Sequence, residues 1–209
     1  MPDSLTIEAY GFSYRINDPG GIIGKCLQDG HPYEAKVLHR IYREGLSGLC
    51  VDVGASVGNH SLWFAAVCGL RVVAVEPLDF LRLEENVALN PDLEIEVWPY
   101  ALGDRCYTGE VTGAPAHVIG ESFPEDGVRI RRLDDAGLED VVLLKIDVEG
   151  MEAAVLRGGI ETIRRDRPLI FAEAIDQSAR KQLAAVLEPL GYRHVKTYGA
   201  TPLLEWQST

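Results

Sequence analysis

The chain has 209 residues, 46% hydrophobic and 25% charged, with a formal net charge of −12 at pH 7. That balance fits one globular domain with a substantial core. The acidity speaks against a duplex nucleic acid as partner, which needs a basic face, and no apolar run reaches the ~20 residues that span a bilayer. The stretch Met1–Phe12 has neither the basic nor the apolar region of a secretory leader, so the expected location is cytoplasmic and no membrane partner is expected. The cysteines (Cys26, Cys50, Cys68 and Cys106) contain no CxxC pair and read as buried, reduced thiols.

Residues 5–16 alternate as a hairpin does, and Asp18-Pro19-Gly20-Gly21 is turn chemistry. Ala35, Val37, Leu38, Ile41 and Tyr42 have helical spacing within Tyr33–Arg43. From residue 48 onward, strand and helix patterns alternate. Strands are predicted at 48–54, 71–77, 93–102, 140–150 and 167–174. Helices are predicted at 57–69, 79–90 (ended by Asn90-Pro91), 151–166 and 177–190, and residues 192–199 and 201–207 read as closing strands. Residues 103–130 are rich in Gly and Pro and read as loops or short strands. Apolar strands alternating with helices imply an α/β fold: a Rossmann-like, doubly wound, mostly parallel sheet with helices on both faces. We expect a single domain, with 1–45 as a hairpin-and-helix extension forming part of the pocket and 46–209 as the core.

In such a sheet the ligand lies at the carboxyl ends of the strands, where strand order reverses. The first βα turn runs Asp52-Val53-Gly54-Ala55-Ser56-Val57-Gly58-Asn59-His60. The dinucleotide pattern G-x-G-x-x-G is met only at Gly54, since Ser56 and Asn59 hold the other two places. Asp52 would repel a pyrophosphate but attract an ammonium or sulfonium. S-adenosylmethionine carries both positive groups and no phosphate, and Gly54 would let the backbone approach it. Glu76, 22 residues beyond Gly54 and followed by Pro77, is placed to accept hydrogen bonds from two ribose hydroxyls.

The strings Val51–Ala65, Val72–Asn90, Ala101–Asp104, Arg131–Asp135 and Val141–Gly159 occur in an order that resembles the FkbM-like S-adenosylmethionine-dependent methyltransferases. The resemblance spans roughly residues 30–175. It implies a class I fold with seven strands, the last reversed. It implies cofactor contacts from Asp52, Gly54, Ser56, Gly58, Asn59, Glu76, Pro77, Ala101, Leu102 and Asp147, with S-adenosylhomocysteine as the product. Many members methylate hydroxyls of sugars or secondary metabolites. Ser56 stands where Asn is common.

An alcohol acceptor must lose its proton during methyl transfer. His60, Asp147 and Glu149 are the acid–base candidates, and His60 would be poised by an ordinary pKa near ~6.5. His31, Glu34, Glu149 and Glu173 are candidates for acceptor binding, and no metal is expected because no compact ligand motif is present. Residues 105–127 are expected to shape the acceptor side, and residues 18–24 to act as a glycine-hinged flap. The expected function is O-methylation of a small hydroxylated acceptor. The alternatives are N-methylation of a small amine and cofactor binding without catalysis.

Overall fold

The structure is a computed structural model that describes residues 4–112, 117–119, 127–199 and 201–209. A hairpin of β1 (Ser4–Ala9) and β2 (Phe12–Asn17) is followed by α1 (Gly21–Gln28) and α2 (Ala35–Tyr42). The alternating core begins with β3 (Leu49–Val53), α3 (Asn59–Ala66), β4 (Arg71–Val75), α4 (Phe80–Ala88) and β5 (Ile95–Trp98). Then come four short strands: β6 (Ala101–Leu102), β7 (Tyr107–Thr112), β8 (His117–Ile119) and β9 (Val128–Arg131). The chain closes with β10 (Val141–Ile146), α5 (Glu152–Arg157), α6 (Ile160–Asp166), β11 (Leu169–Glu173), α7 (Gln177–Leu187), β12 (Tyr192–Tyr198) and β13 (Leu203–Ser208). Among the described residues no helix is long and apolar enough to cross a membrane.

The main sheet has seven strands in the order β12-β13-β11-β10-β3-β4-β5. β3, β4, β5, β10 and β11 pair in parallel, and β13 runs antiparallel to both its neighbours, as the expected reversed strand. The chain builds outward from β3 through β4 to β5, then restarts at β10 on the other side. The reversal of strand order therefore falls between β3 and β10. All five residues of β3 are buried, as a central strand covered on both faces requires.

Four expectations are corrected. Residues 93–102 do not form one strand: β5 belongs to the main sheet and β6 to a second sheet ordered β6-β9-β7-β8, with Pro99, which offers no ladder donor, between them. By contrast, residues 103–130, read as loops or short strands, do hold short strands of that second sheet, while 113–116 and 120–126 lie outside the described residues. The predicted helix 151–166 is two helices broken at Gly158-Gly159. A Cβ on Gly158 would stand 1.9 Å from the Gly103 carbonyl oxygen. Asp134 restarts the chain as α6 by accepting the N–H groups of Glu161 (3.2 Å) and Thr162 (2.9 Å). Residues 18–24 are not a loose flap, because α1 starts at Gly21 and Asp18 accepts the Gly20 N–H at 2.9 Å. Of the cysteines, all free, only Cys50 is buried and Cys106 is exposed.

The N-terminal hairpin matters to the site because it covers α3, every residue of which is buried. Two asparagines of the α4 segment hold it. Asn86 Oδ1 accepts the Asn17 N–H at 2.8 Å while its Nδ2 donates to the Val57 carbonyl at 2.7 Å. Asn90 Oδ1 accepts the Arg15 N–H and its Nδ2 donates to the Arg15 carbonyl, both at 2.7 Å. One helix thus pins both the hairpin and the turn after β3. Asn86→Ala, which strips partners from buried backbone groups, should cost about 1–3 kcal/mol in urea unfolding. A loss below about 0.5 kcal/mol, the level of an inconsequential surface change, would contradict that role.

Candidate active site

The turn after β3 is pressed against the end of β10. Gly54 has φ +80°, and a Cβ there would lie 1.8 Å from the Asp147 carbonyl oxygen, so glycine is required on both counts. Ser56, in the same turn, also holds a left-handed conformation (φ 49°). Glu76, at the end of β4, ties the two turns together. Its Oε2 accepts the Ser56 N–H at 2.9 Å, and its Oε1 accepts those of Leu78 at 2.8 Å and Asp79 at 3.1 Å. Beside it opens a cleft lined by Gly54, Glu76, Pro77, Ala101, Leu102 and Asp147, with Val148, Glu149 and Met151 along its far side. Those first six are all residues the sequence assigned to the cofactor. Ser56, Gly58 and Asn59 shape the turn and the start of α3 without lining this cleft. Asn59 is buried with neither amide atom hydrogen-bonded.

Asp52 is not the open-mouthed carboxylate that the sequence suggested. It is fully buried, and its Oδ2 accepts the Ser61 hydroxyl at 2.6 Å. Its Oδ1 faces the ammonium of Lys145 at 3.4 Å. Lys145 Nζ also lies 3.5 Å from Asp147 Oδ2 and 3.3 Å from the Gly54 carbonyl oxygen. Burial by itself would push the Lys145 pKa down, but Asp52, Asp147 and Glu34 outweigh it and hold the pKa above the usual lysine value. Lys145 therefore stays charged, and Asp52 spends its charge on it. Asp147, with its side chain about one third exposed (32%), is the carboxylate that reaches the cleft.

Beyond Asp147 a second group of side chains gathers. His60 Nε2 and Glu34 Oε2 face each other at 3.4 Å, with side chains only 8% and 10% exposed, and neither atom makes a hydrogen bond. Tyr33 stacks near the His60 ring, with centroids 6.3 Å apart. Burial and the Lys145 charge push the His60 pKa down to about 4. The expectation of an ordinary, poised histidine is thus corrected: the imidazole is neutral at pH 7. Glu173, at the end of β11, is buried and leaves Oε2 without a hydrogen-bond partner. Burial, then the charges of Asp147, Glu149 and Glu152, raise its pKa to about 8. Burial likewise raises Glu34, with Lys145 opposing and Asp147 adding to the shift.

Other predicted residues fall outside this group. His31 is exposed, in the turn after α1. Glu149 is exposed and left-handed (φ 55°), at the rim of the cleft rather than inside the pocket. Among the described residues no cluster of His, Cys, Asp or Glu has the arrangement of a metal site. Sequence reasoning gave Lys145, two residues before Asp147, no role and passed over Tyr33 and Ser61. It also passed over Glu152, whose carboxylate accepts the Val148 and Gly150 N–H groups and shapes the loop after β10. One signal was available for Lys145: a lone cation in the apolar run Val141–Ile146 must be buried with a partner.

The strand order and the cleft at its reversal define a class I methyltransferase fold. Residues 52–194, about two thirds of the chain, match the Methyltransferase FkbM domain, and the chain belongs to that family. It is similar to a 2-O-methyltransferase, NoeI, of Sinorhizobium fredii, with 41% identity over 70 residues, 30% of this chain and 28% of that protein. The fold resembles the solved methyltransferase FkbM of Methylobacillus flagellatus KT (TM-score 0.62, 20% identity), covering 77% of this chain and 44% of that one. It also resembles an rRNA methyltransferase of T. thermophilus in complex with AdoMet and guanosine (TM-score 0.57, 13% identity), covering 99% of this chain and 50% of that one. The chain thus spans half or less of the length of each of these relatives.

The raised Glu173 pKa has a consequence for stability. Between the ordinary carboxylate value of about 4.5 and about 8, the folded protein holds a proton that the unfolded chain releases. This contribution is complete below pH 4.5 and is lost as pH rises through about 8. Glu173→Gln should therefore flatten the decline in stability between pH 5 and pH 8.5 in urea unfolding. An identical slope in wild type and variant would show that Glu173 titrates normally.

Proposed function

We propose that this protein is an S-adenosylmethionine-dependent O-methyltransferase acting on a hydroxyl of a small molecule. The observation that carries the proposal is the junction at Asp147. That carboxylate borders the Glu76–Gly54 cleft and acts electrostatically on buried acid–base groups, among whose atoms Glu34 Oε2, His60 Nε2 and Glu173 Oε2 make no hydrogen bond. The cleft suits the cofactor: beyond its three backbone bonds Glu76 keeps one acceptor site free, on Oε2, and is placed for a ribose hydroxyl. The bare Gly54 backbone and the apolar walls of Leu102 and Pro77 suit the rest of the nucleoside. The relative NoeI, a 2-O-methyltransferase by name, favours an oxygen acceptor.

Bound there, S-adenosylmethionine supplies a methyl group activated by its sulfonium. The residues of this chain do the rest. Asp147, opposed by Lys145, presents its carboxylate to the positive end of the cofactor. Held in this cleft, the cofactor would supply the methyl carbon with its sulfur as leaving group, and Asp147 with the side chains beyond it would position the acceptor oxygen. The hydroxyl proton must leave, and Glu173 is the best matched acceptor for it, because a base works best with a pKa near the operating pH. His60, a weaker base here, accepts a hydrogen bond and orients the acceptor with Glu34. Alignment of the partners supplies up to about 7–11 kcal/mol of the barrier reduction, and the base a further ~10²–10⁴-fold.

Titration calorimetry should show binding of S-adenosylmethionine and none of NAD, with Glu76→Ala weakening the former by about 1–3 kcal/mol. NAD binding without S-adenosylmethionine binding would overturn the reading. With an acceptor in hand, turnover should rise with pH to a plateau above about 8, and Glu173→Gln should abolish that rise and lower turnover by ~10²-fold or more. A variant that keeps the wild-type pH profile would remove Glu173 from the role of base. Transfer to amines alone would move the assignment to N-methylation.

A further inference from the structure

A second concave site lies beside β6. Leu102 of that strand lines the cleft, while its register partner on β9, Arg131, lines a separate groove. The groove has a volume of about 480 Å³ and shares no lining residue with the cleft. Tyr100, Thr108, Arg129, Arg131, Arg132 and Asp135 contribute its aromatic and polar lining. That volume suits a small molecule. On β9, Val128 and Ile130 are buried, so Arg129 and Arg131, two residues apart, stand together on the exposed face. Thr108 on β7 is the register partner of Arg129, which puts its hydroxyl on that same face.

The three arginines differ in how their charge is spent. Arg132 is committed to Asp134 at 3.2 Å and Asp135 at 3.4 Å. Asp135, the acidic lining residue, also lies 3.5 Å from the Cys106 thiol. Arg131 has no carboxylate partner among the described residues. Its guanidinium lies over the Tyr100 ring, 4.4 Å from the centroid, and Tyr100 is buried and stacked with Trp98 at 5.3 Å. Such a contact steadies the planar fork without neutralising it, so less side-chain freedom is lost when an anion arrives. Arg129 is exposed, and among the described residues neither a carboxylate nor a ring pairs with it. Two strand residues separate the roots of Arg129 and Arg131 by about 7 Å. Open charges at that spacing repel each other, and an anion seated between them replaces repulsion with attraction. The chain as a whole carries −12, so any attraction for an anion must be local to this groove.

We infer that the groove at Arg129 and Arg131 is a binding site for a small molecule carrying a phosphate monoester or a diphosphate. A carboxylate brings one charge to the two open arginines, and a phosphate group brings about 1.5 to 2. Each guanidinium can donate two parallel N–H bonds to phosphate oxygens, and the Thr108 hydroxyl adds a further donor. The site stands apart from the acid–base groups beyond Asp147 and holds whatever the methyl acceptor proves to be.

Titration calorimetry on the full chain at pH 7.5 and low salt tests this, with pyrophosphate and glucose 1-phosphate as probes and glucose as the neutral counterpart. Both anions should bind at one site per chain with a Kd below about 1 mM, and glucose should not bind. Arg129→Gln, at an exposed position, and Arg131→Lys, which keeps the charge and loses the fork, should each weaken pyrophosphate by about fivefold or more. The double variant Arg129→Gln/Arg131→Gln should weaken it at least about tenfold, ~1.4 kcal/mol. An unchanged urea midpoint in the single variants is the check on folding. Arg180→Gln/Lys181→Gln, which removes two cations from α7, should bind as the wild type does. Binding of neither anion by the wild type overturns the site. Equal binding by the folded groove variants, or an equal loss in Arg180→Gln/Lys181→Gln, also overturns it, because the attraction is then a general one of the surface. Binding of a single-stranded oligonucleotide in place of both anions would make the groove a nucleic-acid surface and overturn the small-molecule assignment.

Discussion

A single buried ammonium organises this molecule. Lys145 lies on β10, the strand across the reversal of strand order from β3, and it meets Asp52, Asp147 and the Gly54 carbonyl. Those three groups belong to β3, the end of β10 and the first glycine of the turn after β3. Removing the cation would leave Asp52 buried and unpaired, a change that typically costs about 3–5 kcal/mol. The attraction also acts where precision matters most, because the two strand ends it joins form the base of the cleft.

The site is assembled from strained and close-packed backbone around that charge. Glu34, Ser56 and Glu149 are all left-handed without being glycine, and each stands at the cleft or its pocket. Such conformations persist only where the surroundings over-determine them. At Ser56 the surroundings include Glu76, which accepts its N–H, and at Glu149 they include Glu152, which binds the N–H groups on either side. Asn86 extends the same bracing outward to the hairpin. The fold thus puts its rigidity under the cleft and leaves Glu34 Oε2, His60 Nε2 and Glu173 Oε2 buried without hydrogen bonds.

Local patterns carried the fold. The apolar runs at β3, β4 and β10, the Glu76-Pro77 strand end and the Gly54 turn all lie within short windows, and periodicity reads short windows well. What failed was non-local. The break at Gly158-Gly159 depends on Gly103, about fifty residues away, and the Pro99 division depends on which sheet β6 joins. The same holds in the site. Asp52 was legible as an unusual carboxylate, but its partner lies 93 residues later, so its charge was assigned to a ligand and not to Lys145. His60 was legible as a histidine near a turn, but its depressed pKa comes from burial beneath the N-terminal segment and from the same lysine.

The account rests on the energetic coupling between Lys145 and Asp52, and a double-mutant cycle measures it directly. Wild type, Lys145→Met, Asp52→Asn and the double variant would be unfolded in urea, and the coupling read from the four stabilities. A buried, structure-determining pair should give a coupling of at least about 2 kcal/mol, with the double variant more stable than Lys145→Met alone. Additive effects within about 0.5 kcal/mol would show that the two charges do not hold the strand ends together, and the site would need another foundation.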